Sequence, residues 1–314
     1  MKRVAFIIPA WEGDFPKLRD SLNSFLKCQK DGDSDIVVVM SKSEEIEKFK
    51  IYSSLNFGKL INFISLDCFT KGNNSKEDGI INAKKFYGLQ FCIDSNHYEY
   101  MIPIDCENKF IDLTNIKEVC KNIYDRKSFY GGKCKNDKIG KREEKITLNC
   151  ISFLKKYCDS ENPFSKIDTS IFFFWYDLPV YKKSIAISFL DFIDFKDTSK
   201  LSKNLKWTHF DHILFGYYCC AYHNHLIVET KFHERGIVKR ASKDLFIKIK
   251  EEFGISLSWT SYNHYNKRDS CFDNVKILYH TDKKIKKIKR FRSLRRIKEI
   301  MINKIKDLQT FLKF

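Results

Sequence analysis

Two carboxylates, Asp105 and Glu107, lie directly after a short apolar run at residues 98–104. If that run is a strand of an open parallel sheet, its end is where a ligand binds, because such sites lie beyond the carboxyl ends of the strands. Carboxylates two positions apart can both turn toward one divalent cation, and their hard oxygen atoms suit Mg²⁺ or Mn²⁺. The pair therefore predicts a metal site, with an ordinary acidic loop as the alternative.

The first hundred residues alternate between short apolar runs and helix-like segments, and this alternation would position the two carboxylates. Continuous apolar strands separated by helices are typical of a parallel sheet that is buried on both faces. We expect strands at residues 4–8, 36–40, 61–66 and 98–104, with helices at 16–27, 43–50 and 79–92 between them. The predicted fold class is therefore α/β, with a Rossmann-like, mostly parallel sheet flanked by helices.

Four segments follow the order and spacing of one known family. They are residues 7–10 after the first strand, 37–41 at the second, 82–85 opening a helix, and 100–107 at the fourth. In these segments the sequence resembles the GT-A fold, nucleotide-sugar-dependent glycosyltransferases of the bacterial surface-glycan type. It departs from this family in two places. Glu107 stands where the Asp-x-Asp motif has its second aspartate, and Met40 and Ser41 stand where an acidic residue often follows the second strand.

The resemblance implies a nucleotide-sugar site on residues 1–112 and an acceptor half at residues 113–281. The residues that it places at the donor are Pro9, Ala10, Ser41, Lys84, Lys85 and Asp105. It also implies that Asp105 and Glu107 hold Mn²⁺ or Mg²⁺ on the donor diphosphate. His280 follows a late apolar run and resembles the histidine that many such enzymes use as a further metal ligand, with a surface histidine as the alternative.

Lys84 and Lys85 have a physical case of their own. The departure of a nucleoside diphosphate needs cationic groups that stabilise the developing negative charge. Both lysines open the helix before the carboxylate strand, so that ammonium groups and helix N-terminus could act together. A solvated, positively charged helix face is the alternative.

An acidic residue, Asp211, lies between two histidines just before a helix-like segment at residues 213–222. Its position resembles that of the general base of inverting GT-A enzymes, which would take the proton of the attacking acceptor hydroxyl. The alternative is a carboxylate favoured by the helix dipole in the first turn. His209 and His212 could bind the acceptor or only cap the helix, and Trp207 is the candidate for stacking on an acceptor sugar. We also expect a turn at residues 130–133 and a helix at 184–193.

The formal charge of +17 is concentrated at one end of the chain, because residues 282–314 hold 13 basic and 3 acidic side chains. Apolar residues recur there every three or four positions, which predicts a basic amphipathic helix able to lie on an anionic membrane surface. Packing on the rest of the chain or on another subunit is the alternative. The eleven cysteines form no Cys-x-x-Cys pair, and no apolar stretch is long enough to span a bilayer, so we expect a cytoplasmic protein, peripheral on the inner face of the membrane.

These observations favour an enzyme over a binding protein. We expect a hexosyltransferase-like enzyme that moves a sugar from a nucleotide-diphosphate donor to a glycan or lipid-linked acceptor in capsule or lipopolysaccharide synthesis. The predicted domains are a catalytic domain at residues 1–281 and the basic tail at 282–314. A non-catalytic protein that binds nucleic acid or membrane through this tail is the alternative. No nucleic-acid partner is expected, because the basic residues are not interleaved with aromatic ones over the body of the chain.

Overall fold

The computed structural model describes residues 3–28, 32–68, 79–106, 108–110, 113, 115–125, 127–134, 138–158, 162–173, 179–195, 205–229 and 259–261. All of them belong to the first of two units into which the chain divides, residues 1–235 with 250–262. The second unit, residues 236–249 with 263–314, lies outside the described residues. The predicted tail and its boundary at residue 281 therefore stay predictions.

The strands of the described residues are short and spread along the whole first unit. They are β1 (Arg3–Pro9), β2 (Ser34–Met40), β3 (Ile61–Ser65), β4 (Tyr98–Pro103), β5 (Asn108–Phe110), β6 (Ser128–Lys133), β7 (Ile171–Phe172), β8 (Tyr181–Lys182), β9 (Leu226–Glu229) and β10 (Trp259–Ser261). The helices are α1 (Phe15–Cys28), α2 (Ser43–Ser53), α3 (Ile80–Ser95), α4 (Ile116–Asp125), α5 (Lys138–Leu154), α6 (Lys183–Phe192) and α7 (Asp211–Tyr222).

A central sheet with the strand order β3-β2-β1-β4-β8 organises this unit. Strands β1 to β4 run parallel, with Phe6 opposite Ile36 on one side and Ile102 on the other, and β8 runs antiparallel to β4. Two smaller sheets pair β10 with β5 and place β6 between β7 and β9. The predicted α/β class with a mostly parallel sheet is confirmed.

The central sheet is buried on both faces, as the continuous apolar strands predict. Val4, Phe6 and Ile8 pack into one core with apolar residues of α1, α2 and α4. Ala5 and Ile7 point to the opposite face, into a second core with residues of α3, α5, α6 and α7. The alternation follows from the two-residue period of a strand.

Helix α3 lies close against the centre of the sheet. A Cβ atom at Gly88 would meet the Ile7 side chain closer than any ordinary contact, so the helix and β1 approach each other only because this residue is glycine. The residues of α3 from Asn82 to Leu89 are all buried. This close packing brings the start of α3 to the carboxyl end of β1.

Within the described residues, the expected strands and helices are present, with ends within three residues of the expected ones. The turn expected at residues 130–133 is wrong, because these residues belong to β6, which pairs with β9 from Ser128 to Gly131 and with β7 at Gly132 and Lys133. Among the described residues, no helix is long and apolar enough to cross a membrane.

Candidate functional site

The carboxyl ends of β1, β2 and β4 meet at one edge of the central sheet. The sheet extends from β1 through β2 to β3 on one side and to β4 on the other, so the strand order reverses at β1. Open α/β sheets bind ligands at such a switch point. The structure places four of the predicted residues at this edge: Pro9 ends β1 and Ala10 follows it, Ser41 follows β2, and Asp105 comes just after β4. The sequence-predicted donor residues are thus brought together by strand order.

Lys84 lies on α3 directly beside the end of β1. Its ammonium donates a hydrogen bond of 2.6 Å to the Ala10 carbonyl oxygen, and the side chain is buried. Burial lowers the pKa of Lys84 to about 8, and the negative charges of Glu45 and Asp14 oppose this shift only partly. A solvated helix face, the alternative reading of this lysine and its neighbour, is wrong because both side chains are covered by the surrounding elements.

Lys85 joins two carboxylates that come from distant parts of the chain. Its Nζ atom lies 2.9 Å from Asp105 Oδ1 and 3.1 Å from Asp211 Oδ1, and the lysine side chain is only 6% exposed. Burial acts to lower the pKa of Lys85, but the attraction of the two carboxylates outweighs it and raises the pKa above its ordinary value. Lys85 is therefore a charged ammonium held between Asp105 and Asp211.

Asp211 is the first residue of α7, as the sequence indicates, and its side chain is buried. While Lys85 pairs with Oδ1, the Tyr181 hydroxyl donates to Oδ2 at 3.1 Å. Burial raises the pKa of Asp211, and the Lys85 charge partly offsets this shift. Sequence reasoning missed Tyr181, because nothing local distinguishes it from the other fourteen tyrosines.

Asp105 differs from Asp211 in facing solvent, since 42% of its side chain is exposed. Its carbonyl oxygen accepts hydrogen bonds from the Asn108 backbone N–H at 3.0 Å and from Asn108 Nδ2 at 2.7 Å. These bonds fix the turn that follows β4 and hold the carboxylate at the sheet edge. Asn108 is a second residue that the sequence analysis missed, although an Asn three positions after Asp105 is a usual turn signal.

The predicted metal site is only partly within the described residues, because Glu107 and His280 lie outside them. In the described part of the chain, no group of three His, Cys, Asp or Glu side chains is placed to hold a metal ion. Asp105 alone nevertheless offers a solvent-exposed oxygen ligand. Mg²⁺ is commonly bound through one or two carboxylates together with substrate phosphates, so this residue fits that manner of binding.

The predicted acceptor residues are divided between the surface and the core. Trp207 is 43% exposed, whereas His209 and His212 are buried. His209 Nδ1 accepts from the Lys206 backbone N–H at 3.0 Å, and His212 packs edge-on against Phe173. Burial and the nearby Lys85 charge lower the pKa of His212 to about 3. Burial of both histidines argues against acceptor binding, and the alternative in which they only cap the helix stays a prediction.

The N-terminus of α3 meets the segment that carries Trp207. Gly79, which precedes α3, has a φ of 94°, and a Cβ atom there would collide with the Leu205 carbonyl. Asn82 Nδ2 then donates to the Lys206 carbonyl oxygen at 3.1 Å. The glycine and the amide therefore tie the segment that carries Trp207 to the helix that also carries Lys84 and Lys85.

Comparisons with known proteins give distant structural likenesses. No family model matches the sequence, and neither does any curated protein. The structure is similar to mouse xyloside xylosyltransferase 1, with 12% identity, a TM-score of 0.39, and coverage of 83% of this chain and 97% of that one. It is also similar to the bifunctional glycosyltransferase WbbM, with 12% identity, a TM-score of 0.49, and coverage of 92% and 52%. For residues 1–349 of S. aureus TarS the identity is 12%, the TM-score 0.35 and the coverage 73% and 58%. At this distance the likenesses assign neither a family nor an activity.

Proposed function

We propose that the protein is a glycosyltransferase that moves a sugar from a nucleotide-diphosphate donor to a glycan or lipid-linked acceptor. The observation that carries this proposal is the ammonium of Lys85, held between Asp105 and Asp211 at the switch point of an open α/β sheet. An exposed carboxylate that a buried ammonium holds in place suits the metal cation bound to a diphosphate, because the solvent-facing side of Asp105 stays open to it.

The donor would lie across the carboxyl ends of β1 and β4. Asp105 would hold Mg²⁺ or Mn²⁺ there, with Glu107 and His280 as the further ligands predicted from the sequence. A cation bound there would neutralise the negative charge that develops on the departing diphosphate. Lys85 fixes the orientation of Asp105, because its ammonium pairs with one carboxylate oxygen and leaves the solvent-exposed side of the group for the ligand.

Asp211 has two possible roles in this reaction, and the geometry favours one of them. A general base must come within hydrogen-bonding reach of the hydroxyl that it deprotonates. Both oxygens of Asp211 are already engaged, by Lys85 and Tyr181, and the side chain is buried. We therefore assign Asp211 the role of charge partner to Lys85, and the base role predicted from the sequence is the alternative.

The cellular setting belongs to the same proposal. A lipid-linked or surface-glycan acceptor in capsule or lipopolysaccharide synthesis would be used at the inner face of the membrane. Residues 282–314, with ten net positive charges, would hold the enzyme at that anionic surface. A non-catalytic protein that uses this tail to bind nucleic acid or membrane is the competing function.

The deciding experiment is a screen of nucleotide-sugars for donor hydrolysis, with and without Mg²⁺ and Mn²⁺, on the wild type and on Asp105→Ala. We expect one donor to be hydrolysed, and we expect Asp105→Ala to lose at least about 100-fold, since one electrostatic contact of this kind is worth about 2.7 kcal/mol or more. Asp94→Ala is the matched control, because Asp94 is an exposed carboxylate at the other end of α3. A folded wild type that hydrolyses no nucleotide-sugar, or an Asp105→Ala variant with wild-type rates, would contradict the proposal.

A further inference from the structure

The loop at residues 205–210 is held rigidly by two helices. On one side, Asn82 of α3 donates to the Lys206 carbonyl oxygen. On the other, Asn149 Nδ2 of α5 donates to Thr208 Oγ1 at 3.0 Å. Within the loop, the Lys206 backbone N–H donates to His209 Nδ1. The residues on both sides of position 207 are therefore held by hydrogen bonds that involve side chains.

Trp207 stands out from this loop toward solvent. Its neighbours Thr208 and His209 are 3% and 5% exposed, whereas Trp207 is 43% exposed. A large, rigid aromatic ring on an anchored turn is pre-organised for stacking, because little conformational entropy remains to be lost when a ligand binds.

A guanidinium group accompanies this indole. The Arg142 Cζ atom lies 5.2 Å from the Trp207 ring centroid, within the range of a cation–π contact. Arg142, Lys145 and Asn149 are spaced by three and four positions on α5, which places them on one side of the helix. Arg142 contacts Trp207 and Asn149 contacts Thr208, so the exposed Lys145 lies on the helix side that runs along the loop. Arg142 therefore lies over the exposed ring, and Lys145 supplies a second positive charge on the same side of α5.

The Trp207 loop is close to the carboxylate cluster along α3. Asn82 binds the Lys206 carbonyl at 3.1 Å and the Trp207 carbonyl at 3.4 Å. Lys85, which binds Asp105 and Asp211, is three positions further on, about one helical turn or roughly 5 Å along the axis. A ligand on the indole would thus lie beside the donor edge of the sheet rather than on it.

We propose that Trp207, Arg142 and Lys145 form an acceptor subsite for a sugar that carries an anionic group, either a carboxylate or a phosphate. The sugar ring stacks on the indole, and the anion pairs with the planar guanidinium, which is suited to two parallel hydrogen bonds to such a group. Naming the occupant as the acceptor rests on the proposed glycosyltransferase function. Binding of an anionic sugar does not rest on it.

The test uses the full chain labelled with 5-fluorotryptophan, whose four tryptophans give four fluorine resonances. Trp207→Phe and Trp11→Phe assign the resonances of these two indoles. Trp11 is 55% exposed beside the proposed donor edge at the end of β1, so a shift confined to Trp207 separates this subsite from donor-site binding. The probes are glucuronic acid, glucose 6-phosphate and glucose. We expect the first two to shift the Trp207 resonance and glucose to leave it unchanged at the same concentrations. The relative responses to the carboxylate and the phosphate identify the anion.

Charge variants of α5 test whether the anion binds to the Arg142 guanidinium. Arg142→Gln should weaken binding of the anionic sugar about tenfold or more. Arg142→Lys should weaken it less, because lysine keeps the positive charge but lacks the planar guanidinium that can make two parallel hydrogen bonds. Lys141→Gln is the matched control, since it removes the same charge from the neighbouring, exposed position, and it should change affinity less than about twofold.

Three results would overturn the subsite. They are a Trp207 resonance that responds to none of the probes, equal affinity for glucose and glucuronic acid, or an Arg142→Gln variant that binds the anionic sugars as tightly as the wild type. The readout requires no turnover. Shifts at Trp207 in a protein that hydrolyses no nucleotide-sugar would refute the glycosyltransferase proposal and leave the anionic-sugar site standing.

Discussion

Removal of the buried ammonium at residue 85 is the sharpest perturbation of the site. Lys85→Met keeps much of the side-chain volume but leaves Asp211, with 2% of its side chain exposed, without a cation. Breaking a buried ion pair by removing one partner costs about 3–5 kcal/mol. We expect Lys85→Met to lower the free energy of unfolding by that amount at pH 7.

The partner variants should cost less, for reasons visible in the geometry. In Asp211→Asn, Lys85 keeps its contact with Asp105 at 2.9 Å, and we expect a loss of about 1–2 kcal/mol. The double variant carries neither buried charge, and we expect it to be more stable than Lys85→Met. The coupling between the two substitutions should reach about 1–3 kcal/mol. The contact with Asp105 adds little to stability, because 42% of that carboxylate is exposed and screened by solvent.

The stability of Lys85→Met should depend on pH in a defined direction. Burial already raises the pKa of Asp211 in the wild type, while the positive charge of Lys85 acts to lower it. Removal of Lys85 therefore raises the pKa of Asp211 further. A folded-state pKa above the unfolded value of about 3.9 gives stability that is present at low pH and is lost as pH rises through the folded pKa. We expect Lys85→Met to gain stability as pH falls from 7 toward 4, by at most about 1.4 kcal/mol per pH unit. The double variant should lose this dependence.

Urea unfolding of the four proteins at pH 5 and pH 7 measures these differences, provided the slope with denaturant is unchanged. Lys50→Met is the matched control, because the Lys50 ammonium pairs with Glu47 at 2.8 Å on the surface and should contribute no more than about 1 kcal/mol. A loss below about 1 kcal/mol in Lys85→Met, or strictly additive effects of the two substitutions, would refute the buried ion pair as the organising contact of the site.

Three further outcomes are expected. Tyr181→Phe removes the hydroxyl that donates to Asp211 and should cost about 1–3 kcal/mol in urea unfolding, and an unchanged midpoint would contradict the contact. Gly79→Ala should destabilise more than Gly58→Ala, since both have positive φ but only Gly79 is crowded, and equal unfolding midpoints would argue against that crowding. Deletion of residues 282–314 should reduce sedimentation with vesicles that contain anionic lipid, as should raised salt for the full chain, and undiminished binding in both cases would exclude the tail as a membrane contact.

Strands β1 to β4 and helices α1, α2, α3, α6 and α7 could be predicted from the sequence because their signals are local, whereas α4, α5 and the shorter strands were not predicted. The apolar runs that became β1 to β4 differ from their flanking segments within a few residues, and their short length and continuous apolar character favour buried strands over helices. Asp105 at a strand end and Asp211 at a helix start were found for the same reason. The turn expected at residues 130–133 failed because β6 is stabilised by strands β7 and β9, which the local glycines do not reveal.

The site itself was decided by tertiary structure. The sequence indicated Lys84, Lys85, Asp105 and Asp211 as separate candidates, but left open whether the lysines were solvated and what Asp211 would contact. The contact that answers both questions joins Lys85 to a residue 126 positions later in the chain. Tyr181 and Arg142 gave no sequence signal at all, because a hydroxyl or a guanidinium acquires its role only from the group that folding places opposite it. Local pattern indicated β1 to β4 and the helices between them, whereas burial and pairing of charge depend on which distant elements pack together.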